Sequence, residues 1–356
     1  MYAGNVFFLF LFAFYGILRQ LPAEIYCKIN SKGRRMPENI IDLLKKNNDY
    51  YSGTRLSAEL GISRAAVWKK INCLRKKGFI IEAVPSKGYL LVKSPDLSAE
   101  YIKSAVKGGL WKDIFVYDLV SSTNELAMSV AIKNGLKANT VIIADSQEKG
   151  KGRLGRQWVS PPGRNIYMSI AFKPRLDTRD ATMLTLLTAV ACAYAIKKIS
   201  GLQVSIKWPN DLILSGKKLG GILTEIRADI DKVNLAVIGI GINVNMGGED
   251  FTEEIRSVAT SIKEESGRYC SRNELVIEIL SQMEHFYSML INMGKHPLLN
   301  EWKILSSTLG KSVKVVIGDE TLIGLAEDID DNGMLILRLD SGLRRQISAG
   351  DITLLR

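Results

Sequence analysis

Residues 150–158 read GKGRLGRQW, so that three glycines alternate with three cations and the stretch ends on an indole. Glycine lets a backbone approach a ligand closely and adopt positive φ. Successive N–H groups can then form an anion-binding concavity, and guanidinium groups bind phosphate or carboxylate oxygens through paired hydrogen bonds. The spacing is not that of a Walker A or dinucleotide loop. The stretch therefore predicts an anion-binding loop, and a solvated basic turn is the alternative.

Four further segments accompany this loop in a fixed order. They read STNE at 122–125, KWPND at 207–211, KKLGGIL at 217–223 and IGIGINVN at 238–245. Each alone is compatible with an ordinary strand end or a closely packed strand, but five segments in one order favour a common function. Together they resemble the signature segments of the biotin protein ligases, over roughly residue 114 to the C-terminus. With the N-terminal region, the chain resembles the bifunctional bacterial type, which is both ligase and repressor of the biotin operon.

The composition is that of a globular protein with two or three domains, because the chain has 356 residues, of which 46% are hydrophobic and 24% charged. The two histidines, His285 and His296, lie in no recognisable motif, which argues against a histidine-based triad or a zinc protease site. The cysteines are Cys27, Cys73, Cys192 and Cys270. They form no C-x-x-C pair, so neither a zinc site nor a disulfide framework is predicted, and a reducing, cytoplasmic location is expected. Chemistry is therefore expected from lysine, arginine and aspartate.

The positive charge is concentrated near the N-terminus. Residues 1–96 contain 16 Lys and Arg against 7 Asp and Glu, whereas residues 97–356 contain 32 against 30. Over residues 36–95 the count is 11 against 5. A charge excess often marks only a solvated face, but on a compact DNA-binding motif it favours contact with phosphates.

Residues 36–95 are predicted to form a winged helix-turn-helix DNA-binding domain. The predicted elements are helices near 40–44, at 56–60 and from the N-cap Ser63, and strands at 79–84 and 89–92. Turn 85–88 gives the hairpin a basic tip. Gly61 supplies the tight turn between the second and third helices.

The third helix carries a buried stripe and an outward face. Val67, Ile71 and Leu74 fall at i, i+4 and i+7, the spacing of a buried stripe. This motif places its third helix in the major groove. The candidates for DNA contact are Ser63, Arg64, Ala65, Trp68 and Lys69 of the helix and Lys87 of the hairpin tip. A winged helix used only for protein binding, or kept as a spacer, is the alternative.

Residues 1–35 do not fit this pattern. Residues 6–18 form an apolar run that is too short to span a bilayer comfortably, and no cation precedes it as in a signal peptide. A membrane anchor, an atypical signal and an extension from a misplaced start codon are the three interpretations. We favour the third, because Met36 opens directly onto the DNA-binding region. Residues 1–35 are then expected to be dispensable, with no membrane association.

Residues 96–308 are predicted to form an α+β domain, similar to the class II synthetase-like catalytic domain of the family. The predicted strands are 114–120, 140–145, 166–172, 204–208, 220–227 and 232–240, and the predicted helices are 98–108, 122–133, 181–199 and 273–290. Residues 309–356 turn to short strands at 313–317, 320–328, 335–339 and 343–348, separated by glycine turns. They predict a small SH3-like β barrel, again similar to the family.

The resemblance implies a two-step reaction without an enzyme nucleophile. Biotin and ATP give biotinyl-5′-adenylate and pyrophosphate, and a lysine of the biotin carboxyl carrier protein of acetyl-CoA carboxylase then attacks the mixed anhydride. Biotin, ATP and Mg²⁺ are the expected ligands, with no tightly bound cofactor. Because two anions must be brought together, catalysis is expected to rest on positioning and on cations.

The match to the family motifs implies a role for individual residues. The expected catalytic residues are Arg153, Lys218 and Asp211, of which Arg153 and Lys218 neutralise the reacting carboxylate and phosphate. The implied biotin-binding residues are Ser122, Thr123, Asn124, Gln147, Lys151, Gly152, Arg153 and Lys218. The implied ATP-binding residues are Arg153, Arg156, Trp158, Asn210, Asp211 and Asn243, with Asp211 also the candidate Mg²⁺ ligand.

Two positions depart from the family pattern. Lys151 stands where arginine is usual, which keeps the charge but loses the planar fork. This change affects how tightly the loop closes rather than what it binds. Ser121 stands where aspartate is common.

Three further expectations concern alternatives and assembly. A lipoate or octanoate ligase shares the fold in outline, but its motifs match less well. A non-enzymatic biotin-sensing repressor is expected to lose Arg153 or Lys218, and both are present. Because one winged helix offers few base contacts, binding to operator DNA favours a homodimer whose assembly responds to the adenylate.

Overall fold

The structure is a computed structural model that describes residues 40–46, 49–107, 109–133, 135 and 139–355. The chain separates into two compact units. The N-terminal unit runs to Lys76 and includes Ile81–Leu91, and the C-terminal unit comprises Lys77–Ile80 and the residues from Val92 onward. The predictions for the extension and for Met36 lie outside the described residues.

The N-terminal part of the chain folds as a winged helix-turn-helix, as predicted. Its elements are α1 (Ile40–Lys46), α2 (Gly53–Leu60), α3 (Arg64–Lys76), β1 (Ile80–Val84) and β2 (Gly88–Lys93), the two strands forming a hairpin. Gly61 ends α2 with a φ of 64°, and the Ser63 hydroxyl caps α3 by accepting from the backbone N–H of Ala66 at 3.2 Å. The buried stripe of α3 is Val67, Ile71 and Leu74. All six residues predicted to contact DNA are exposed.

A mixed sheet of seven strands forms the centre of the C-terminal unit. In chain order the strands are β3 (Asp113–Val120), β4 (Thr140–Gln147), β5 (Ile166–Phe172), β6 (Ser205–Lys207), β7 (Asp211–Leu214), β8 (Lys217–Ala228) and β9 (Val233–Ile242). Their order across the sheet is β3-β4-β5-β9-β8-β7-β6. The pair β3 and β4 is parallel, and the other neighbouring pairs are antiparallel. The α+β class is confirmed, but β7 was missed because four residues are too few to show a period.

Helices cover both faces of this sheet. They are α4 (Ala99–Ala105), α5 (Thr123–Lys133), α6 (Thr182–Ser200), α7 (Glu253–Arg256), α8 (Ile262–Ser266), α9 (Arg272–Met293) and α10 (Lys295–Leu305). Successive residues of β4 point to opposite faces, so Val141 and Ile143 pack in the main core with α6, α9 and α10, whereas Ile142 packs against α5. The helices α7, α8 and α10 were not predicted.

The helical stretch Thr178–Ser200 is, within the described part of the chain, the one long and apolar enough to cross a membrane. An 18-residue window of this stretch is 67% buried in this domain, and twelve side chains of α6 are buried. A helix that lies inside a protein core is expected to be apolar on all sides. Its composition is therefore explained by packing.

The C-terminal region is an antiparallel sheet of five strands. They are β10 (Ser312–Ile317), β11 (Glu320–Ile329), β12 (Leu335–Leu339), β13 (Arg344–Ile347) and β14 (Asp351–Leu354), in the order β13-β12-β11-β10-β14. The first four strands were predicted as parts of a small barrel. The last strand was not predicted, because four residues are too few to show a strand period.

Trp208 links the central sheet to the C-terminal sheet. It is 2% exposed, and its indole Nε1 donates to the Gly333 carbonyl at 3.0 Å. Its backbone N–H donates to the Thr308 hydroxyl at 3.0 Å. Trp302 on α10 is fully buried, but its Nε1 has no acceptor among the described residues.

We expect Trp208→Phe to lower the free energy of unfolding by about 1–3 kcal/mol more than Trp302→Phe, because only the first leaves a buried carbonyl without its donor. Both substitutions remove the same atoms, so the second is a matched control. Urea unfolding of the two variants measures the difference. Equal losses of stability would show that the hydrogen bond between the two sheets contributes nothing.

Candidate active site

A cleft of about 300 Å³ opens beside the glycine-rich loop, residues 150–158. Of the thirteen residues predicted for ligand binding and catalysis, twelve line this cleft. These twelve are Ser122, Thr123, Asn124, Gln147, Lys151, Gly152, Arg153, Arg156, Trp158, Asn210, Lys218 and Asn243. The thirteenth, Asp211, forms an ion pair with Lys218. The fold thus brings all five signature segments together.

One part of the cleft is a cluster of uncharged polar side chains at the start of α5. Ser122, Thr123 and Asn124 are buried. The Gln147 Oε1 atom accepts from the backbone N–H of Thr123 at 2.9 Å and from its hydroxyl at 3.1 Å. The Ser169 hydroxyl lies 2.7 Å from the Thr123 Oγ1 atom and 2.5 Å from Asn124 Oδ1. Because the donors and acceptors are fixed and uncharged, this end suits a neutral polar group. Ser169 was not predicted, since it lies inside an otherwise apolar strand.

Two glycines of β9 let two side chains lie directly against the strand. A Cβ atom on Gly239 would lie 2.3 Å from Asn124 Oδ1, and one on Gly241 would lie 2.8 Å from Trp158 Cε2. Neither glycine has positive φ, so the requirement is for space. The alternating glycines of β9 therefore clear one face of the strand for the cleft.

The glycine-rich loop folds back on itself as a short hairpin. The Gly152 N–H donates to the Arg156 carbonyl at 2.8 Å, and the Trp158 N–H donates to the Gly150 carbonyl at 2.8 Å. At the tip, Leu154 has a φ of 55°, which lies in the left-handed region that residues other than glycine rarely adopt. The loop thus has a defined conformation that presents its cations around the tip.

Arg153 is a half-buried cation of the loop. Its Nη1 donates to Asn210 Oδ1 at 2.8 Å, and its Nη2 donates to the Gly350 carbonyl at 3.4 Å. Burial lowers the pKa of the guanidinium, although the nearby Asp351 carboxylate opposes this effect. Arginine remains charged in proteins at neutral pH. Its two hydrogen-bond acceptors here are neutral, so a positive charge lies in the cleft without a carboxylate in direct contact.

Lys218 and Asp211 form the second charged group. Lys218 Nζ lies 2.6 Å from Asp211 Oδ1, and Lys207 Nζ lies 3.7 Å from Asp211 Oδ2. The Lys218 ammonium is also 5.8 Å from the centre of the Trp158 ring. The two segments meet because β7 and β8 are antiparallel neighbours, with Asp211 opposite Gly221. One carboxylate is therefore shared by two lysines.

Lys151 ties the loop to α5. Its Nζ lies 2.8 Å from Glu125 Oε1. The hydrogen bond from Lys151 lowers the pKa of Glu125, and Glu125 in turn raises the pKa of Lys151. Both side chains are more than two-fifths exposed, so the pair contributes little to stability. The lysine that replaces the expected arginine thus makes a single ammonium contact.

An apolar part of the cleft wall was not predicted. It is formed between β9 and α8 by Met246, Phe251, Ile255 and Val258. The Lys218 N–H donates to the Val258 carbonyl at 2.8 Å, so this segment is attached to the strand that carries Lys218. Phe251, Ile255 and Val258 do fall at i, i+4 and i+7, but α7 is only four residues long, and the sequence analysis assigned no element to this segment.

Asp351 is a further residue that the sequence analysis missed. It is the first residue of β14, it lines the cleft, and it forms an ion pair with Arg156 of the loop. The two residues are 195 positions apart. A local pattern cannot indicate a contact between the loop and a different sheet.

The arrangement suits an elongated ligand with a neutral polar end and an anionic centre. Within the described residues no group of three or more His, Cys, Asp or Glu is placed to hold a metal ion. A single carboxylate such as Asp211 is compatible with Mg²⁺ carried by phosphate oxygens, because this ion usually takes few protein ligands. The cations can stabilise charge in an acyl or phosphoryl transfer.

Three segments of the chain match known families. Residues 38–90 match an HTH domain, residues 116–243 match the biotin/lipoate A/B protein ligase family, and residues 308–355 match the biotin protein ligase C terminal domain. The chain is 38% identical to the bifunctional ligase/repressor BirA of Bacillus subtilis, over 88% of this chain and 97% of that protein. It is 32% identical to BirA of Escherichia coli, over 91% and 98%. It also resembles the biotin protein ligase from Aquifex aeolicus in complex with biotin and ATP, with 27% identity, a TM-score of 0.60 and coverage of 69% of this chain and 99% of that one.

We expect Gly239→Ala to lower the free energy of unfolding by about 1–3 kcal/mol, the usual effect of overpacking, because the new methyl group must displace the Asn124 side chain. Gly221→Ala is the control, since its Cβ would meet its nearest neighbours at 3.5 Å or more. Urea unfolding of both variants measures the effect. If Gly239→Ala is as stable as Gly221→Ala, the close approach to Asn124 does not constrain the strand.

Proposed function

The chain belongs to the biotin protein ligase family, in the form that also carries a helix-turn-helix repressor domain, and from this premise we propose how its cleft and its N-terminal domain act. The chain is a biotin--[acetyl-CoA-carboxylase] ligase whose substrates are biotin and ATP, and it requires no tightly bound cofactor. In the first step a carboxylate oxygen of biotin attacks the α-phosphorus of ATP and displaces pyrophosphate. In the second, a lysine amine of the carrier protein attacks the acyl carbon and displaces AMP.

The observation that carries the proposal is that one cleft holds both the neutral polar cluster and the two cations. The buried hydroxyl, amide and backbone groups of the polar cluster suit the ureido ring of biotin, which both donates and accepts hydrogen bonds. We assign this ring to Ser122, Thr123, Asn124 and Gln147, with Lys151 and Gly152 closing over it. The biotin carboxylate then extends toward Arg153 and Lys218.

Arg153 and Lys218 are assigned to the reacting centre. A carboxylate and a phosphate repel each other, and cations placed between them lower the barrier most where negative charge develops. Arg153 has only neutral hydrogen-bond acceptors, and Lys218 shares its single carboxylate with Lys207. An anionic ligand therefore supplies the missing counter-charge.

We assign the nucleotide to the other residues of the cleft. Arg156 binds the remaining phosphates, Asn210 and Asn243 contact the nucleotide, and Trp158 lies on the adenine side. Asp211 is the residue that would hold Mg²⁺, which would neutralise phosphate charge when bound. The apolar residues between β9 and α8 suit the adenine ring.

The N-terminal domain gives the chain its second activity. The exposed face of α3 and the basic hairpin tip are proposed to bind operator DNA as a homodimer whose assembly rises with the adenylate. The carrier protein is proposed to compete for the dimer face. A ligase and repressor that uses ATP and DNA is expected in the cytoplasm.

We expect Arg153→Ala and Lys218→Ala each to slow adenylate formation at least tenfold, with a loss of about 2–4 kcal/mol of transition-state stabilisation if each acts like one oxyanion donor. Pyrophosphate release with biotin and ATP measures this step. Lys198→Ala is the control, because this largely exposed lysine pairs with Glu278 and does not line the cleft. Equal rates for all three variants would refute the assignment.

We expect Lys69→Ala to weaken DNA binding. The slope of log affinity against log salt concentration should become shallower by about one, the contribution of one phosphate contact. The probe is the promoter region of the biotin synthesis genes of the same genome, with and without biotin plus ATP. For the unaltered chain, ligand should raise both the dimer fraction and the DNA affinity by about 5- to 150-fold. Lys173→Ala, which removes an exposed lysine of the C-terminal unit, controls for net charge. A salt slope identical in both variants would exclude Lys69 from contact with a DNA phosphate.

A further inference from the structure

Arg272 is a buried cation that the proposed reaction does not use. It is the first residue of α9 and is 3% exposed. A cation at the N-terminus of a helix faces the positive end of the helix dipole, and a buried charge is tolerated only with partners. Arg272 has three acceptors: the carboxylates of Asp96 and Asp145, the second at 2.7 Å, and the Asn165 carbonyl at 3.1 Å.

Two of these acceptors lie on or directly before strands that shape the cleft. Asp145 precedes Gln147 by two residues on β4, and Gln147 holds the backbone and hydroxyl of Thr123. Asn165 precedes β5, and its side chain accepts from the backbone N–H of Val244 at 3.0 Å. One guanidinium therefore fixes the ends of two strands next to the polar cluster.

The third acceptor belongs to the segment that leads from the winged helix into the catalytic domain. Asp96 follows β2 by three residues. The neighbouring residues of this segment are held by α9 as well, because Asn273 Nδ2 donates to the Pro95 carbonyl at 2.6 Å and Asn273 Oδ1 accepts from the Ser98 N–H at 2.9 Å. The start of α9 thus holds segment 95–98 through both a charge and a pair of hydrogen bonds.

We propose that Arg272 is a positioning residue that joins segment 95–98 to the biotin side of the cleft, so that ligand binding and the DNA response are coupled through Asp96–Arg272–Asp145. The proposal rests on the function proposed for this chain. A planar guanidinium can satisfy several acceptors at once, whereas an ammonium is a single point charge. In this proposal, a displacement of Asp145 on ligand binding changes how strongly Arg272 attracts each of the two carboxylates, and Asp96 moves in response.

The catalytic part of this proposal is tested with Arg272→Lys in the full chain. The substitution keeps the charge but removes the fork, so we expect the KM for biotin in pyrophosphate exchange to rise about tenfold while kcat stays within about twofold. A purely structural role would instead reduce the amount of active enzyme and leave the KM unchanged. An unchanged KM for biotin would overturn the assignment.

The coupling is tested with Asp96→Asn, which removes a charge that is not in the cleft. Affinity for the promoter DNA is measured with and without biotin plus ATP. We expect the ligand-induced increase to fall at least about fivefold, while DNA affinity without ligand and kcat stay within about twofold of the unaltered chain. Asp180→Asn is the matched control, because Asp180 is a partly buried carboxylate that pairs with Lys295 and is absent from the cleft lining.

The outcomes separate this inference from the proposed function. If the unaltered chain responds to ligand and Asp96→Asn responds equally, the coupling is refuted while the repressor function stands. If the unaltered chain shows no response, the repressor function fails, and the biotin KM of Arg272→Lys still decides whether Arg272 positions the pocket.

Discussion

The cleft depends on the close packing of two side chains against the bare backbone of β9. Asn124 comes from α5 and Trp158 from the glycine-rich loop, and each occupies the space where a Cβ atom of Gly239 or Gly241 would lie. Helix, loop and strand therefore fix one another's positions at the ligand site. The polar cluster depends on this contact, since Asn124 Oδ1 is held by Ser169 on the neighbouring strand while its Nδ2 donates to Glu225 at 2.8 Å.

Electrostatic balance explains the rest of the site. The loop and the two neighbouring segments bring more cations to the cleft than carboxylates, and the half-buried Arg153 is satisfied by neutral oxygens. Such an arrangement suits the proposed binding of two anions, whose reaction needs no nucleophile from the protein. It accounts for a chemistry in which histidine has no part: among the described residues both histidines, His285 and His296, lie outside the cleft lining.

The sequence predicted most of the fold and most of the site, for identifiable physical reasons. The α3 stripe shows a clear helical period, α6 is a long apolar run, and the signature segments carry glycines and charges that can be recognised in the sequence. Of the elements that were missed, β7, β14, α7 and α8 have four or five residues, whereas α10 has eleven. The missed site residues, Ser169, Asp351 and the apolar wall, depend on contacts between segments that are distant in sequence. The boundaries of the domains and the roles of individual residues stay predictions.

The proposed binding of ATP phosphates to Arg156 requires that its ion pair with Asp351 be broken or shared. The guanidinium is largely solvated and already has an internal carboxylate beside it, so a phosphate entering the cleft exchanges one anionic partner for another. An exposed pair of this kind contributes only about 0–1 kcal/mol, so its loss subtracts little from the affinity. This ion pair and the hydrogen bond from Arg153 to the Gly350 carbonyl hold the loop near the C-terminal sheet. If the loop binds nucleotide as proposed, less conformational entropy is lost on binding, and the C-terminal sheet contributes to nucleotide affinity in this way.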